Sequence, residues 1–87
     1  MNDFEKDVRW YFSKVTGVGQ NVLEVYEWDG DICLRATVWI DQWSEIMDYV
    51  DAMDGRWIKN GDRSHWVFPK ENIVERIKYE KEFYKNE

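Results

Sequence analysis

Three groups of residues in this 87-residue chain have types that carry out chemistry in other settings: the single histidine, His65, the single cysteine, Cys33, and the acids Asp29 and Asp31 around Gly30. Nucleophilic catalysis needs a nucleophile, a base and a group that orients the base. His65 follows Ser64 directly, and no Ser-His-Asp arrangement is supported by the spacing. Asp29 and Asp31 are too few oxygen donors for a calcium loop, which needs several more, and they read as turn residues. Gly17-Val18-Gly19 lacks the rest of a phosphate-binding fingerprint and reads as a helix stop. Cys33 has Arg35 as its one basic neighbour in sequence, so an inert thiol is expected. One cysteine and one histidine cannot complete a tetrahedral zinc site, and a lone cysteine forms no internal disulfide. The chain is therefore expected to work without catalysis, metal or cofactor.

Surfaces remain as the means of action, and charge divides them. Residues 1–54 hold twelve acidic and four basic residues, a net −8, whereas residues 55–87 hold six acidic and eight basic residues, a net +2. Between Asp41 and Asp54 there is no Lys or Arg, while Asp41, Glu45, Asp48 and Asp51 recur at helical spacing. Such a stripe suits a basic groove on a protein partner, because complementary charge raises association rates and steers partner choice. The basic half offers Arg56, Lys59, Arg63 and Lys70 near Trp57 and Trp66. Cations beside flat rings suit single-stranded nucleic acid, whose bases stack on aromatics and whose phosphates pair with Lys and Arg. Trp28, at a predicted turn, is a candidate anchor, since exposed Trp is a frequent hot spot. Trp39 is expected to be covered by helix 1 or the second hairpin, and Trp10 falls beside the apolar stripe of helix 1.

The elements that must position these residues follow from periodicity. Phe4, Val8, Tyr11, Phe12 and Val15 line one face of a first helix, with Asn2 or Asp3 as its cap and Gly17 and Gly19 as its stop. Trp28-Asp29-Gly30-Asp31 predicts a hairpin with a two-residue type I′ turn. That register places Leu23, Val25, Ile32, Leu34, Ala36, Val38 and Ile40 on one face, Tyr26 opposite Cys33, and Glu24 opposite Arg35. Asp41 is expected to cap a second helix bearing Trp43, Ile46, Met47, Val50 and Met53, ended by Gly55. A second hairpin joins Arg56–Lys59 to His65–Phe68. Asn60-Gly61 alone suggests a two-residue turn, but the longer loop Asn60–Arg63 is preferred, because it places Trp57 opposite Trp66 and puts Trp57, Trp66 and Phe68 on one face. Pro69 fits the first turn of a third helix, buried through Ile73, Val74 and Ile77, with Tyr79 and Phe83 off that stripe. The fold class expected is α+β, in the order α-β-β-α-β-β-α, with an antiparallel sheet of two hairpins packed against helices. Residues 1–87 form one domain, held by aromatic packing: 17% of the chain is aromatic and six residues are Trp.

From Ile46 to Ile77, the run of helix, Gly55-Arg56-Trp57, polar turn, His65-Trp66-Val67-Phe68-Pro69 and helix resembles the ββα unit of HARP-type domains of annealing helicases. Trp57, Trp66 and Phe68 hold the places of that family's aromatics. The resemblance covers about a third of the chain and implies single-stranded or forked DNA as a ligand.

The leading expectation is a non-enzymatic protein-binding module whose partner contacts are Asp41, Glu45, Asp48, Asp51 and Trp28. Its size, acidity and Trp content have the style of phage or mobile-element accessory proteins that inhibit or modulate a host or defence protein. The alternative is a HARP-like nucleic-acid-binding module using Arg56, Lys59, Arg63 and Lys70. A homodimer through Tyr79, Phe83 and Tyr84 is a third expectation. No apolar run reaches the roughly 20 residues that span a bilayer, and the start MNDFEKDV is unlike a signal peptide. With the lone cysteine, these features point to the cytoplasm.

Overall fold

Apolar residues at i, i+4, i+7 and i+8 make the first segment a helix, α1 (Asp3–Thr16), whose inner face buries Val8, Tyr11 and Phe12. The computed structural model describes residues 3–85, so the cap expected at Asn2 lies outside the described residues; Asp3 is already helical. Gly17 stops the helix with φ +83, and its N–H donates to the Ser13 carbonyl at 2.9 Å, the left-handed C-terminal arrangement that glycine adopts without strain.

A turn of 3-10 helix (Gln20–Val22) leads into the first hairpin, β1 (Leu23–Trp28) and β2 (Asp31–Ala36). Asp29 and Gly30 both have positive φ, as a type I′ turn requires. The register pairs Glu24 with Arg35 and Tyr26 with Cys33, as expected, and Arg35 closes on Glu24 at 2.8 Å. The apolar row is shorter than predicted. β2 ends at Ala36, so Val38 leaves the sheet and is 56% exposed, while Ile40 is buried from the following loop.

The second helix is α2 (Trp43–Ala52). Asp41 does not cap it. Gln42 holds the cap position and makes no side-chain cap bond. Nor does Gly55 supply the left-handed residue at its end. Asp54 does, at φ +65, with Asp54 N–H on the Asp51 carbonyl and Gly55 N–H on the Val50 carbonyl, a Schellman pair. An aspartate there carries strain that glycine would not. Asp54→Gly is expected to stabilise by about 0.5 kcal/mol after the added freedom of the unfolded chain is deducted, read as a higher urea midpoint with unchanged slope.

β3 (Arg56–Ile58) and β4 (His65–Pro69) form the second hairpin, with Trp57 opposite Trp66, as expected for the longer turn. Pro69 closes β4 rather than opening the helix, and α3 (Lys70–Lys85) starts at the next residue. The strands form one antiparallel sheet in the order β1-β2-β4-β3. The α+β fold class is thus the one observed.

One sheet face supplies Leu23, Val25, Ile32, Leu34, Trp66 and Phe68 to a single core, and the helices add Val8, Tyr11, Phe12, Ile46, Val50, Ile73 and Ile77. Cys33 is buried yet stands outside this cluster, on the opposite face between its register neighbours Tyr26 and Val67. Glu27 shares the parity of Leu23 and Val25 on the edge strand, but carries a charge there and pairs with Lys70 at 3.1 Å. Val74, expected in the buried stripe of α3, is 42% exposed. Among the described residues no helix is long and apolar enough to cross a membrane.

Candidate interaction surface

Three tryptophans meet where the start of α2 lies against the second hairpin. Trp43 packs on Trp57 with ring centroids 5.2 Å apart and on Trp66 at 5.7 Å; Trp57 and Trp66 are 4.8 Å apart. Trp66 is fully buried, Trp57 is half-buried and Trp43 is 39% exposed. The cluster therefore runs from core to surface, and its outer ring is held by its inner ones. Four residues before Trp43, in the loop that leaves β2, Trp39 is 84% exposed and Val38 lies beside it in sequence. The prediction that Trp39 would be covered fails for the reason that removed Val38 from the sheet. Once pairing ends at Ala36, nothing in the hairpin lies over the following residues.

The acidic stripe follows Trp39 and Trp43 in sequence. Asp41, Glu45, Asp48 and Asp51 are all exposed, and none of their carboxylates enters a hydrogen bond or ion pair within the described residues. α2 itself carries no basic residue. Trp28, placed with the stripe from sequence, is 74% exposed but sits elsewhere. It lies on the edge strand β1 at the turn end of the hairpin, while α2 packs on β3 and β4 at the far side of the sheet. The ends of β2 are themselves roughly 17 Å apart at strand rise. Trp39, which follows β2 at its other end, replaces Trp28 as the neighbour of the stripe.

The basic set is dispersed as well. Lys70 is held by both carboxylate oxygens of Glu27 at 3.1 Å and lies 5.0 Å from the centre of the Phe4 ring. Arg56, Lys59 and Arg63 are exposed around the second hairpin and no carboxylate pairs with them among the described residues. Trp66 offers no ring face to a base, because it is wholly inside. His65 uses Nδ1 against the Arg63 carbonyl at 2.8 Å, a local contact within the turn.

Burial pushes the Cys33 thiol above its ordinary value, and the nearby Asp31 carboxylate pushes it the same way. A thiol so placed is a poor nucleophile. Among the described residues, no three His, Cys, Asp or Glu side chains converge on a point that could hold a metal ion.

Comparison with known protein families, with curated proteins and with solved structures returned no match.

Proposed function

We propose that this chain is a protein-binding module whose docking surface is the acidic face of α2 together with Val38, Trp39 and Trp43. The observation that carries this reading is the 84% exposure of Trp39, two residues before Asp41 and close in sequence to the unpaired carboxylates of Glu45, Asp48 and Asp51 on α2. A large ring left in water gains little burial in the free molecule, whereas it can supply the buried centre of an interface. Trp43, braced by Trp57 and Trp66, gives that centre a fixed support, which lowers the ordering cost of association. Asp41, Glu45, Asp48 and Asp51 form a charged rim on one side, so the partner presents a basic groove. In this reading the protein acts by occupation, in the manner of a small phage or mobile-element accessory protein that inhibits a host or defence protein.

Trp39→Ala tests the centre and the triple reversal of Glu45, Asp48 and Asp51 to Lys tests the rim, each in affinity capture from nuclease-treated lysate followed by titration of the captured protein. Trp39→Ala is expected to cost roughly thirtyfold in Kd, the usual scale of a hot spot. The reversal is expected to slow association about tenfold or more at low salt. Full-strength capture by both variants removes this surface from consideration.

A second reading is favoured by one observation: Arg56, Lys59 and Arg63 are cations without carboxylate partners around one hairpin. The resemblance to HARP-type units implies single-stranded or forked DNA as their ligand. Binding should then fall steeply with rising salt, and the absence of any complex with such DNA at low salt ends that reading.

A further inference from the structure

Away from the Trp39 patch, a groove of about 910 Å³ runs between the C-terminal end of α2 and the outer side of α3. We infer that this groove is a docking site for an arginine- or lysine-bearing segment of a protein partner. The inference rests on reading the acidic surface as a protein-docking one and extends it across α3. Three kinds of group that favour a cation meet in the groove.

The first is aromatic. Tyr79 stands 72% exposed on α3 and Tyr49 is half-buried, backed by the buried Tyr11 with ring centroids 6.2 Å apart, so Tyr79 and Tyr49 supply the accessible faces. Aromatic faces attract guanidinium and ammonium groups. The second is carboxylate: Asp54, Glu75, Glu80 and Glu82 line the groove against only Arg76 and Lys78. The third is the end of α2 itself, the negative pole of that helix. Its last carbonyls already draw donors from across the groove. Asn72 Nδ2 donates to the Met53 carbonyl at 2.8 Å and Arg76 Nη2 to the Ala52 carbonyl at 3.4 Å.

Arg76 shows that the site suits a guanidinium. It donates to the end of α2 and lies close enough to Tyr11 to oppose the rise that burial causes in that phenol. Arg76 belongs to the wall, however, and Tyr79 remains open to solvent. A second copy of this chain is a poor occupant, because it brings a net charge of −6 and the same carboxylates of Asp54, Glu75, Glu80 and Glu82 to the contact.

The test uses the full chain and a fluorescein-labelled peptide of nine arginines, followed by anisotropy at physiological salt and by amide chemical shifts. Tyr79→Ala leaves the charge unaltered and, at an exposed position, leaves the fold intact by circular dichroism. It is expected to weaken the peptide by about threefold to thirtyfold, the reach of a cation over a ring. Glu75→Gln with Glu82→Gln should weaken it too, and shifts should concentrate at Tyr49, Ala52, Asp54 and Tyr79. Equal affinity for Tyr79→Ala, with shifts spread over every acidic surface, would reduce the effect to bulk charge and overturn the inference. Loss confined to Glu45→Gln with Asp48→Gln would also overturn the groove while leaving the α2 reading standing. A dimer in sedimentation without peptide, dispersed by Tyr79→Ala, would assign the face to a second copy instead.

Discussion

Trp66→Ala is expected to destabilise the protein by about 3–5 kcal/mol, the range for emptying a buried aromatic site. A domain of this length has roughly 4–13 kcal/mol in total, so the variant approaches the limit of folding. The ring is 0% exposed and its centroid lies within 6 Å of those of Trp43 and Trp57. Its loss therefore opens a cavity and withdraws the floor beneath Trp43. Trp66→Phe separates two contributions. The indole Nε1 is buried without a hydrogen-bond partner, and such a donor costs about 1–3 kcal/mol. Phenylalanine removes that donor together with part of the ring, so a net loss of about 1–2 kcal/mol is expected. Urea unfolding followed by far-ultraviolet dichroism measures both. A Trp66→Ala midpoint close to that of the parent would show that this indole is not the keystone of the sheet's inner face.

Gly55→Ala should be nearly as severe, about 3 kcal/mol, for a different reason. Gly55 does not need a left-handed backbone; it needs room. A Cβ there would stand 2.6 Å from the Val67 carbonyl oxygen, 2.6 Å from Val50 Cγ1 and 2.8 Å from Phe68 Cβ. One of these is backbone of a paired strand, and the other two belong to buried residues, so none swings aside freely. Either α2 lifts from β4 or the strand bends, at the upper end of what overpacking usually costs. Amide exchange should show the loosening first at the junction of α2 and β3. If Gly55→Ala unfolds at the parent's midpoint, the close approach of helix and strand is absent in solution.

How much could be read from the chain alone follows from the range of each signal. The first hairpin was legible because Asp29-Gly30 fixes the turn and Glu24–Arg35 confirms the register locally. The Trp57–Trp66 pairing was legible because only the longer turn puts three large rings on one face. Alternation, however, does not mark where a strand stops. Thr37-Val38-Trp39 continues the β pattern while the ladder ends at Ala36, and the most exposed large ring was lost for that reason. The end of α2 was misassigned to Gly55 because sequence shows a glycine but not whether space or torsion demands it. Trp28 was grouped with the stripe because a Trp at a predicted turn is a candidate anchor. Only the strand order separates them. The groove between α2 and α3 joins residues up to 71 positions apart, Tyr11 and Glu82 among them, and no periodicity carries that information.

One of the two outer strands of the sheet, β1, ends in a buffer against polymerisation. Its free edge offers backbone groups on which a stray strand from another molecule can grow. Glu27 turns a charge toward the side that an added strand would need dry, and Lys70 holds it there. Lengthening the sheet past this edge would strip water from an ion pair now open to it. At high concentration, growth of the sheet past β1 should accordingly be disfavoured.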